Sequence, residues 1–220
     1  MHSLIKIFFL LTPLFFISCL DVVEEIELNK TKGGKAIYTI NLSQSKIKLN
    51  TLMKLDSIDG HRIPKQYEIE REIAAAVQEL RSKKGITGAS YELNKTEYIY
   101  SLEVDFLSIN ELDQAIRTLS YWKKSDWKPL EAFYIQKERR FIKHVPQVHV
   151  KEKDLGEVEK RKESLKLGSY TFILRNEGEV STDNPKDLRI SGNKKAALFR
   201  KDLYTLAKYR NGFDLKMEVK

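Results

Sequence analysis

The residue types that most often carry out chemistry are few and scattered in this chain of 220 residues. Three histidines follow the N-terminal apolar segment: His61, His144 and His149. A zinc site needs three or four histidine, cysteine or carboxylate ligands, and the chain has neither an H-E-x-x-H motif nor a pair of cysteines. We therefore predict no metal and no cofactor, and we interpret the histidines as surface or partly buried side chains.

Hydrolytic chemistry has no clear motif either. No G-x-S-x-G sequence is present to provide a serine nucleophile. Residues 85–88 (GITG) follow a predicted helix and precede a predicted strand, which reverses the strand-to-helix order of phosphate-binding loops. A glycosidase needs only two carboxylates, so spacing alone does not exclude one. Glu103 and Asp105 would share one strand face, but that face is equally the ordinary solvated side of a sheet.

Cys19 is the single cysteine, and it ends a segment typical of secreted bacterial proteins. Lys6 precedes an apolar run, residues 7–17, that is shorter than the roughly 20 residues of a membrane-spanning helix. Residues 16–19 (FISC) resemble the lipobox of bacterial lipoproteins. The prediction is a signal peptide at 1–18 and lipidation, of the palmitate type, on Cys19. The alternatives are an ordinary secretory signal with a chance cysteine, or a buried core helix.

Residues 19–24 form the predicted lipidated cysteine and short tether. Asp21, Glu24 and Glu25 resemble the acidic export signal that follows the cysteine in Bacteroidetes surface lipoproteins, but they equally begin a first strand. We predict a Bacteroidetes-like envelope protein anchored at the outer membrane. Whether it would face the periplasm or the cell surface stays open.

The charge of the chain suggests its partners. The formal net charge is +8 and the pI is about 9.3. Export argues against nucleic acid, so anionic phospholipid, lipopolysaccharide or acidic glycan are the anionic partners to expect. The alternative is a solvated lysine-rich surface with no specific partner.

A cluster of aromatic and basic residues is the candidate interface. Aromatic and basic side chains together suit a membrane interface or a glycan surface. The same residues equally suit the end of an amphipathic helix that packs on a sheet. They are Trp122, Lys123, Lys124, Trp127 and Lys128.

The remaining pattern predicts an α+β fold: an antiparallel sheet built from hairpins, with two or three helices packed on one face. Residues 25–220 would form a single domain, with a possible sub-boundary near 123–130. Alternating apolar residues and turn signals predict strands, and a 3.6-residue period with caps predicts helices. The predicted elements are hairpins at 25–40 and 89–106, helices at 67–84 and from Ser108 to Leu119, and strands at 132–135, 140–144, 170–175, 196–199 and 213–219.

One segment allows two interpretations. Residues 150–167 are rich in charge and poor in apolar side chains, with Gly156 inside. They would form either a solvated helix or a mobile excursion.

Taken together, these features resemble LppM-type bacterial lipoproteins. The shared pattern is a lipidated cysteine, a first hairpin with a glycine-containing turn (EIELNKTKGGKAIYTINLS), and a C-terminal strand, loop and short exposed strand (SYTFILRNEGEVSTDNPKDLRISGNKKAALFR). The resemblance implies a membrane-anchored α+β module without established catalysis, for which lipid or glycolipid contact has been proposed. It implies no functional residue.

Three functions therefore compete. The first is a non-catalytic envelope lipoprotein that binds a protein partner or an anionic lipid or glycan at the outer membrane. The second is a hydrolase of envelope glycans that uses paired carboxylates. The third is a purely structural lipoprotein.

Overall fold

The computed structural model describes residues 20–31, 33–58, 61–119, 132–145, 155–183, 188–208 and 213–220. A single 3₁₀ turn, Ser43–Ser45, precedes the first of the described helices. The elements are β1 (Asp21–Leu28), β2 (Gly34–Asn41), α1 (Lys46–Leu52), β3 (Ser57–Ile58), β4 (His61–Arg62), α2 (Gln66–Arg81), β5 (Ile86–Asn94), β6 (Ile99–Phe106), α3 (Ile109–Arg117), β7 (Tyr134–Lys137), β8 (Arg140–Val145), α4 (Leu155–Lys160), α5 (Lys162–Leu167), β9 (Ser169–Asn176), β10 (Val180–Ser181), β11 (Arg189–Ile190), β12 (Ala196–Asp202), α6 (Leu203–Lys208) and β13 (Phe213–Val219).

Seven strands form the large sheet, in the order β11-β12-β9-β1-β2-β6-β5. The two predicted hairpins are confirmed as β1–β2 and β5–β6, and they are joined through an antiparallel β2–β6 pair. The β1–β9 pair alone among these is parallel, with Asp21 opposite Ser169 and Leu28 opposite Asn176. The first strand of the domain is therefore an interior strand of the sheet.

A second sheet of four strands, β10-β13-β8-β7, packs against the large one. The rings of Phe141 on β8 and Phe172 on β9 stack with centroids 6.2 Å apart, and both side chains are fully buried. The predicted α+β class is confirmed. The sequence pattern did not predict that two sheets share one core, because strand periodicity identifies strands without identifying their partners.

Two longer helices cover the same face of the large sheet. Val77 and Leu80 bury one side of α2 in the core, next to β5. Helix α3 begins where the predicted capping box places it, because the Ser108 hydroxyl accepts a hydrogen bond from the Glu111 amide at 3.3 Å. The helices predicted at 67–84 and from Ser108 are thus confirmed, with their ends moved by up to three residues.

The opposite face of the large sheet is polar, as the alternation in β6 predicts. Val104 and Phe106 are buried, whereas Ser101, Glu103 and Asp105 are partly exposed. One detail differs from the prediction. Tyr98 lies in the β5–β6 turn with φ of 55° rather than in the strand, and its buried hydroxyl donates to Asn50 at 2.7 Å.

The two ends of the large sheet carry different elements. At one end, which we call the Asp21 end, Asp21 lies opposite both Asn41 and Ser169, and Ser169 lies opposite Asp202. Helix α1 follows β2 there, α5 precedes β9 and α6 follows β12. At the other end, the Leu28 end, Leu28 lies opposite Gly34 and Asn176. Eight residues of strand separate the two ends by about 26 Å.

Within the charged 150–167 segment, the described residues are helical. Helices α4 and α5 account for 155–160 and 162–167, and residues 150–154 lie outside the described part of the chain. Leu165 is buried, and α5 packs against α6. The helical interpretation therefore holds where the structure describes this segment.

Candidate functional site: a basic cleft at the Leu28 end

The sites predicted from sequence lie mainly outside the described residues. This applies to the predicted lipidation site and to the whole aromatic and basic cluster. Both sites therefore remain predictions from the sequence. The residues concerned are Cys19, Trp122, Lys123, Lys124, Trp127 and Lys128.

One of the three histidines has a described contact. His144 on β8 meets Asp214 on β13, with Nδ1 and Oδ1 2.6 Å apart. His149 lies outside the described residues. Across the described ranges, no group of three histidine, cysteine, aspartate or glutamate side chains is placed to hold a metal ion.

The candidate pair of carboxylates, Glu103 and Asp105, flanks a lysine. Lys35 on β2 donates to Glu103 at 2.5 Å, and Asp105 lies opposite Lys35 in the strand register. The hydrogen bond from Lys35 to Glu103, followed by the nearby charges of Glu103, Asp105 and Glu27, raises the pKa of Lys35. A glycosidase needs both carboxylates to face the substrate, whereas Glu103 is already hydrogen-bonded to Lys35. This arrangement is that of a surface ion pair.

A cleft of about 1150 Å³ opens at the Leu28 end, between the large sheet and the second sheet. The β7–β8 turn forms one wall. Lys137 and Arg140 are paired across that turn, and Glu138 adopts a left-handed backbone conformation with φ of 53°. The tight turn therefore holds Lys137, Glu138, Arg139 and Arg140 together on the rim, all of them exposed.

Hydrogen bonds between the sheets hold the opposite wall in place. The Asn176 side-chain amide, at the end of β9, donates to the Lys220 carbonyl at 3.0 Å and to the Glu179 carbonyl at 3.2 Å. Gly178 lies so close to the end of the second sheet that an added Cβ would come 1.7 Å from the Lys220 carbonyl oxygen. The end of β13 is therefore pinned against the end of β9, and the cleft lies between fixed strands.

Positive charge dominates the lining of the cleft. Two of its side chains are acidic, Glu138 and Glu218, and five are basic: Lys30, Lys137, Arg139, Arg140 and Lys220. Lys220 reaches Glu179 at 3.6 Å. The other four make no ion pair within 4.0 Å to any described residue, so their charges are available to a ligand. Guanidinium groups bind carboxylate and phosphate through two parallel hydrogen bonds.

A second cluster of polar side chains lies buried between the two sheets, and we call it the Glu24 cluster. Glu24 on β1 accepts hydrogen bonds from Tyr134 at 2.6 Å and from Tyr170 at 2.8 Å. The Lys143 ammonium lies 2.7 Å from the same carboxylate and 4.3 Å from the centre of the Tyr134 ring. Tyr38 completes the cluster, with its hydroxyl 2.8 Å from that of Tyr134.

The environment of the Glu24 cluster favours a structural role. Burial, followed by the charge of Glu24, raises the pKa of Tyr38, Tyr134 and Tyr170 well above the usual value, so all three remain neutral donors. Glu24 and Lys143 are 7% and 2% exposed. Because the cluster takes side chains from both sheets and is closed to solvent, it fixes how the sheets pack.

Asp113 on α3 positions the same region from the side. Its carboxylate accepts backbone hydrogen bonds from Phe133 at 2.6 Å and from Tyr134 at 3.0 Å, and Arg117 donates to it at 2.7 Å. The start of β7 is thus tied to α3, which sets the direction in which the Tyr134 hydroxyl points.

Neither the basic cleft nor the Glu24 cluster was predicted from the sequence. The signal for the cleft was the run KERR at 137–140, a short polar turn between two predicted strands. The signal for the cluster was absent, since Glu24 resembles its acidic neighbours and is distinguished only by the side of β1 on which it lies.

Comparisons with known proteins give little information about this chain. No protein-family model matches the chain, and no curated protein matches it. The chain is similar to the NMR structure of the folded domain of Mycobacterium tuberculosis LppM, with a TM-score of 0.42 and 9% identity over 90% of this chain and 87% of that one. The likeness to the LppM type is distant, and it transfers no residue and no function. A Bacteroidetes-like origin stays a prediction.

Among the described residues, no helix combines the length and the apolar character that a membrane crossing requires.

Proposed function

We propose that this protein is a lipid-anchored, non-catalytic envelope domain that binds an acidic glycan in the basic cleft. The observation that supports the proposal is the charge of the cleft, where five basic side chains face two acidic ones. The anchor would be Cys19, as the lipobox predicts. An envelope location, the anchor and the ligand are all parts of the proposal.

The shape of the cleft favours an extended ligand over a small one. Sites for small molecules are typically about 300–1,000 Å³. This cleft is about 1150 Å³, and it adds the amides Asn29 and Gln136 to its charged lining. A glycan chain that carries phosphate or carboxylate groups offers anions to the arginines and hydroxyls to the amides.

The position of the cleft favours a glycan over a lipid headgroup. Leu20 follows Cys19 by one peptide bond, so a lipid on Cys19 would lie at the Asp21 end of the large sheet. The cleft lies at the Leu28 end, about 26 Å away along β1. Headgroups of the anchoring bilayer would therefore be out of reach, whereas a glycan that extends from a neighbouring layer would not.

Charge reversal in the cleft tests the proposal. The full chain in detergent would be titrated with polygalacturonate, with teichoic acid, and with neutral dextran. We expect binding to the two acidic polymers and not to dextran. We expect Arg139→Glu and Arg140→Glu each to weaken binding about tenfold, since a hydrogen bond to a charged group is worth about 1.5–3 kcal/mol.

The matched control reverses two charges elsewhere. Arg71→Glu, on α2, and Lys84→Glu, just after α2, make the same change in charge at exposed positions. Equal losses in the control and cleft variants would mean that net charge alone drives binding, which would overturn the proposal. Titration with poly-glutamate tests for a protein partner instead. Binding to that peptide without binding to either glycan would indicate that the ligand is an acidic segment of a protein.

A further inference from the structure

Two large apolar side chains are exposed at the Asp21 end. Ile47 on α1 is 83% exposed, and Leu167, the last residue of α5, is 61% exposed. Exposed aliphatic side chains on short helices gain nothing from packing within the domain. Such residues mark surfaces that contact a partner or a membrane when they lie together.

Leu20 connects the two helices that carry these residues. On one side, Leu20 packs with the cluster that contains Leu49 of α1. On the other side, its carbonyl accepts a hydrogen bond from the Ser169 amide at 2.9 Å, two residues after Leu167. Both helices therefore adjoin the point at which the chain leads back to Cys19.

Lysines surround the first of these apolar side chains. Residues 42–54 contain Lys46, Lys48 and Lys54 and no acidic residue. Lys46 reaches Glu97 at 2.5 Å, and Lys48 also has an interaction within the protein, so part of this charge has a partner. The segment still presents more positive than negative charge next to an exposed isoleucine.

The second apolar side chain has a similar setting. Lys162, Lys166 and Lys208 have their ammonium groups 5.5, 6.0 and 4.5 Å from the centre of the Tyr204 ring. Carboxylates are present as well: Glu163 lies 3.4 Å from Lys166, and Glu159 lies 3.3 Å from Lys208. Lys162 also lies 3.9 Å from Glu159, so three lysines and two glutamates share these helices. They leave a small excess of positive charge, which favours an anionic surface.

We infer that the Asp21 end is a docking surface for an anionic bilayer. Ile47 and Leu167 enter the headgroup region, and the flanking lysines contact anionic headgroups. The partner is a bilayer because an exposed apolar pair next to lysines matches the chemistry of the interface, and because the chain leaves this surface toward the predicted lipid anchor. This surface is separate from the glycan cleft, which lies at the opposite end.

Hydrogen exchange on the reconstituted full chain tests this inference. The protein, expressed from the full sequence and purified from membranes, would be placed in vesicles of phosphatidylcholine alone or with added phosphatidylglycerol. We expect the amides of α1 and α5 to exchange more slowly on the anionic vesicles. Each lysine near an anionic surface changes the docking equilibrium about fivefold, so raised salt should reverse the protection.

Three matched variants test which end of the domain contacts the bilayer. Ile47→Asp and Leu167→Asp should each remove the protection, because a charge replaces an inserted apolar group. Leu107→Asp is the control, since Leu107 is 59% exposed and lies at the Leu28 end. All three positions are exposed, so the fold should persist, and circular dichroism would verify it.

Two results would overturn the inference. One is identical exchange of α1 and α5 on both kinds of vesicle. The other is an equal loss of protection in the Leu107→Asp control. The cleft is tested separately, because Arg139→Glu should leave this protection unchanged and Ile47→Asp should leave glycan binding unchanged.

Discussion

A lysine–glutamate pair lies against each face of the large sheet, and the two pairs differ mainly in burial. Lys143 and Glu24 are 2.7 Å apart between the two sheets, with side chains 3% and 9% exposed. Lys35 and Glu103 are 2.5 Å apart on the polar face, with side chains 37% and 38% exposed. By contact distance alone, the exposed pair would be expected to matter more for stability. Burial reverses that expectation.

The buried pair depends on its neighbours in a way that the exposed pair does not. Removing one partner of a buried pair leaves a charge without water or counter-charge, which is far more costly than exposing a charge to solvent. Tyr134 donates to the carboxylate oxygen that Lys143 contacts, and Tyr170 donates to the other oxygen. The comparison predicts that equivalent substitutions on the two faces have very different effects.

The largest expected effect is that of Lys143→Met. It leaves the Glu24 carboxylate buried without its counter-charge, and we expect the free energy of unfolding to fall by about 3–5 kcal/mol. Urea denaturation of the full chain in detergent, followed by circular dichroism, would measure it. A double variant, Lys143→Met with Glu24→Leu, should recover much of the loss, because both charges are then absent. No recovery would mean that packing rather than charge sets the cost.

Tyr170→Phe should have a smaller effect. It removes the donor to the second oxygen of Glu24 and keeps the ring, so the expected loss is about 1.5–3 kcal/mol, the value of a hydrogen bond to a charged group. The same denaturation experiment applies. Tyr67→Phe, at a position that is 63% exposed, is the matched control and should leave stability unchanged. Equal stability of the two variants would contradict the geometry of the cluster.

The pH dependence of stability gives a third test. The pKa of Tyr134 is raised by burial, so above the ordinary tyrosine pKa of about 10 the unfolded chain loses this proton while the folded chain keeps it. The contribution is complete below pH 10 and declines as pH rises toward the folded pKa. Tyr134→Phe should therefore lessen the alkaline fall in stability by about 1.4 kcal/mol per pH unit. An unchanged slope would show that Tyr134 ionises as readily in the folded state.

The smallest expected effect is that of Lys35→Met, the same substitution as at Lys143 but on the polar face. Solvent screens the exposed pair, and Glu103 can be hydrated when its partner is removed. We expect the unfolding transition to coincide with that of the parent chain. A loss comparable with that of Lys143→Met would remove the distinction between the two faces.

Local features of the fold could be predicted from the sequence. The first hairpin has a glycine-containing turn, α3 has its Ser108 cap, and β6 alternates between apolar and polar residues. Each of these signals lies within about ten residues of the structure that it specifies. The sequence analysis placed no helix at 203–208, where a six-residue element owes its helical form to packing on its neighbours.

Long-range features could not be predicted in this way. The parallel β1–β9 pair, the second sheet and the Glu24 cluster all join segments that are distant in sequence. Glu24 illustrates the difficulty, because the sequence suggested either an export signal or the start of a strand. The structure places it in β1, where its partners are Tyr134, Lys143 and Tyr170. No local pattern around Glu24 specifies those partners.

The interior position of β1 also affects when the large sheet can form. The Ser169 hydroxyl donates to Asp21 across 148 residues of chain, at the start of the parallel pair. A ribosome or a translocation channel delivers β1 long before β9, so one edge of the first hairpin stays unpaired until most of the chain has emerged. Folds dominated by such distant pairings form slowly, and open strand edges invite aggregation. Because β9 is synthesised long after β1, the centre of the large sheet is completed late.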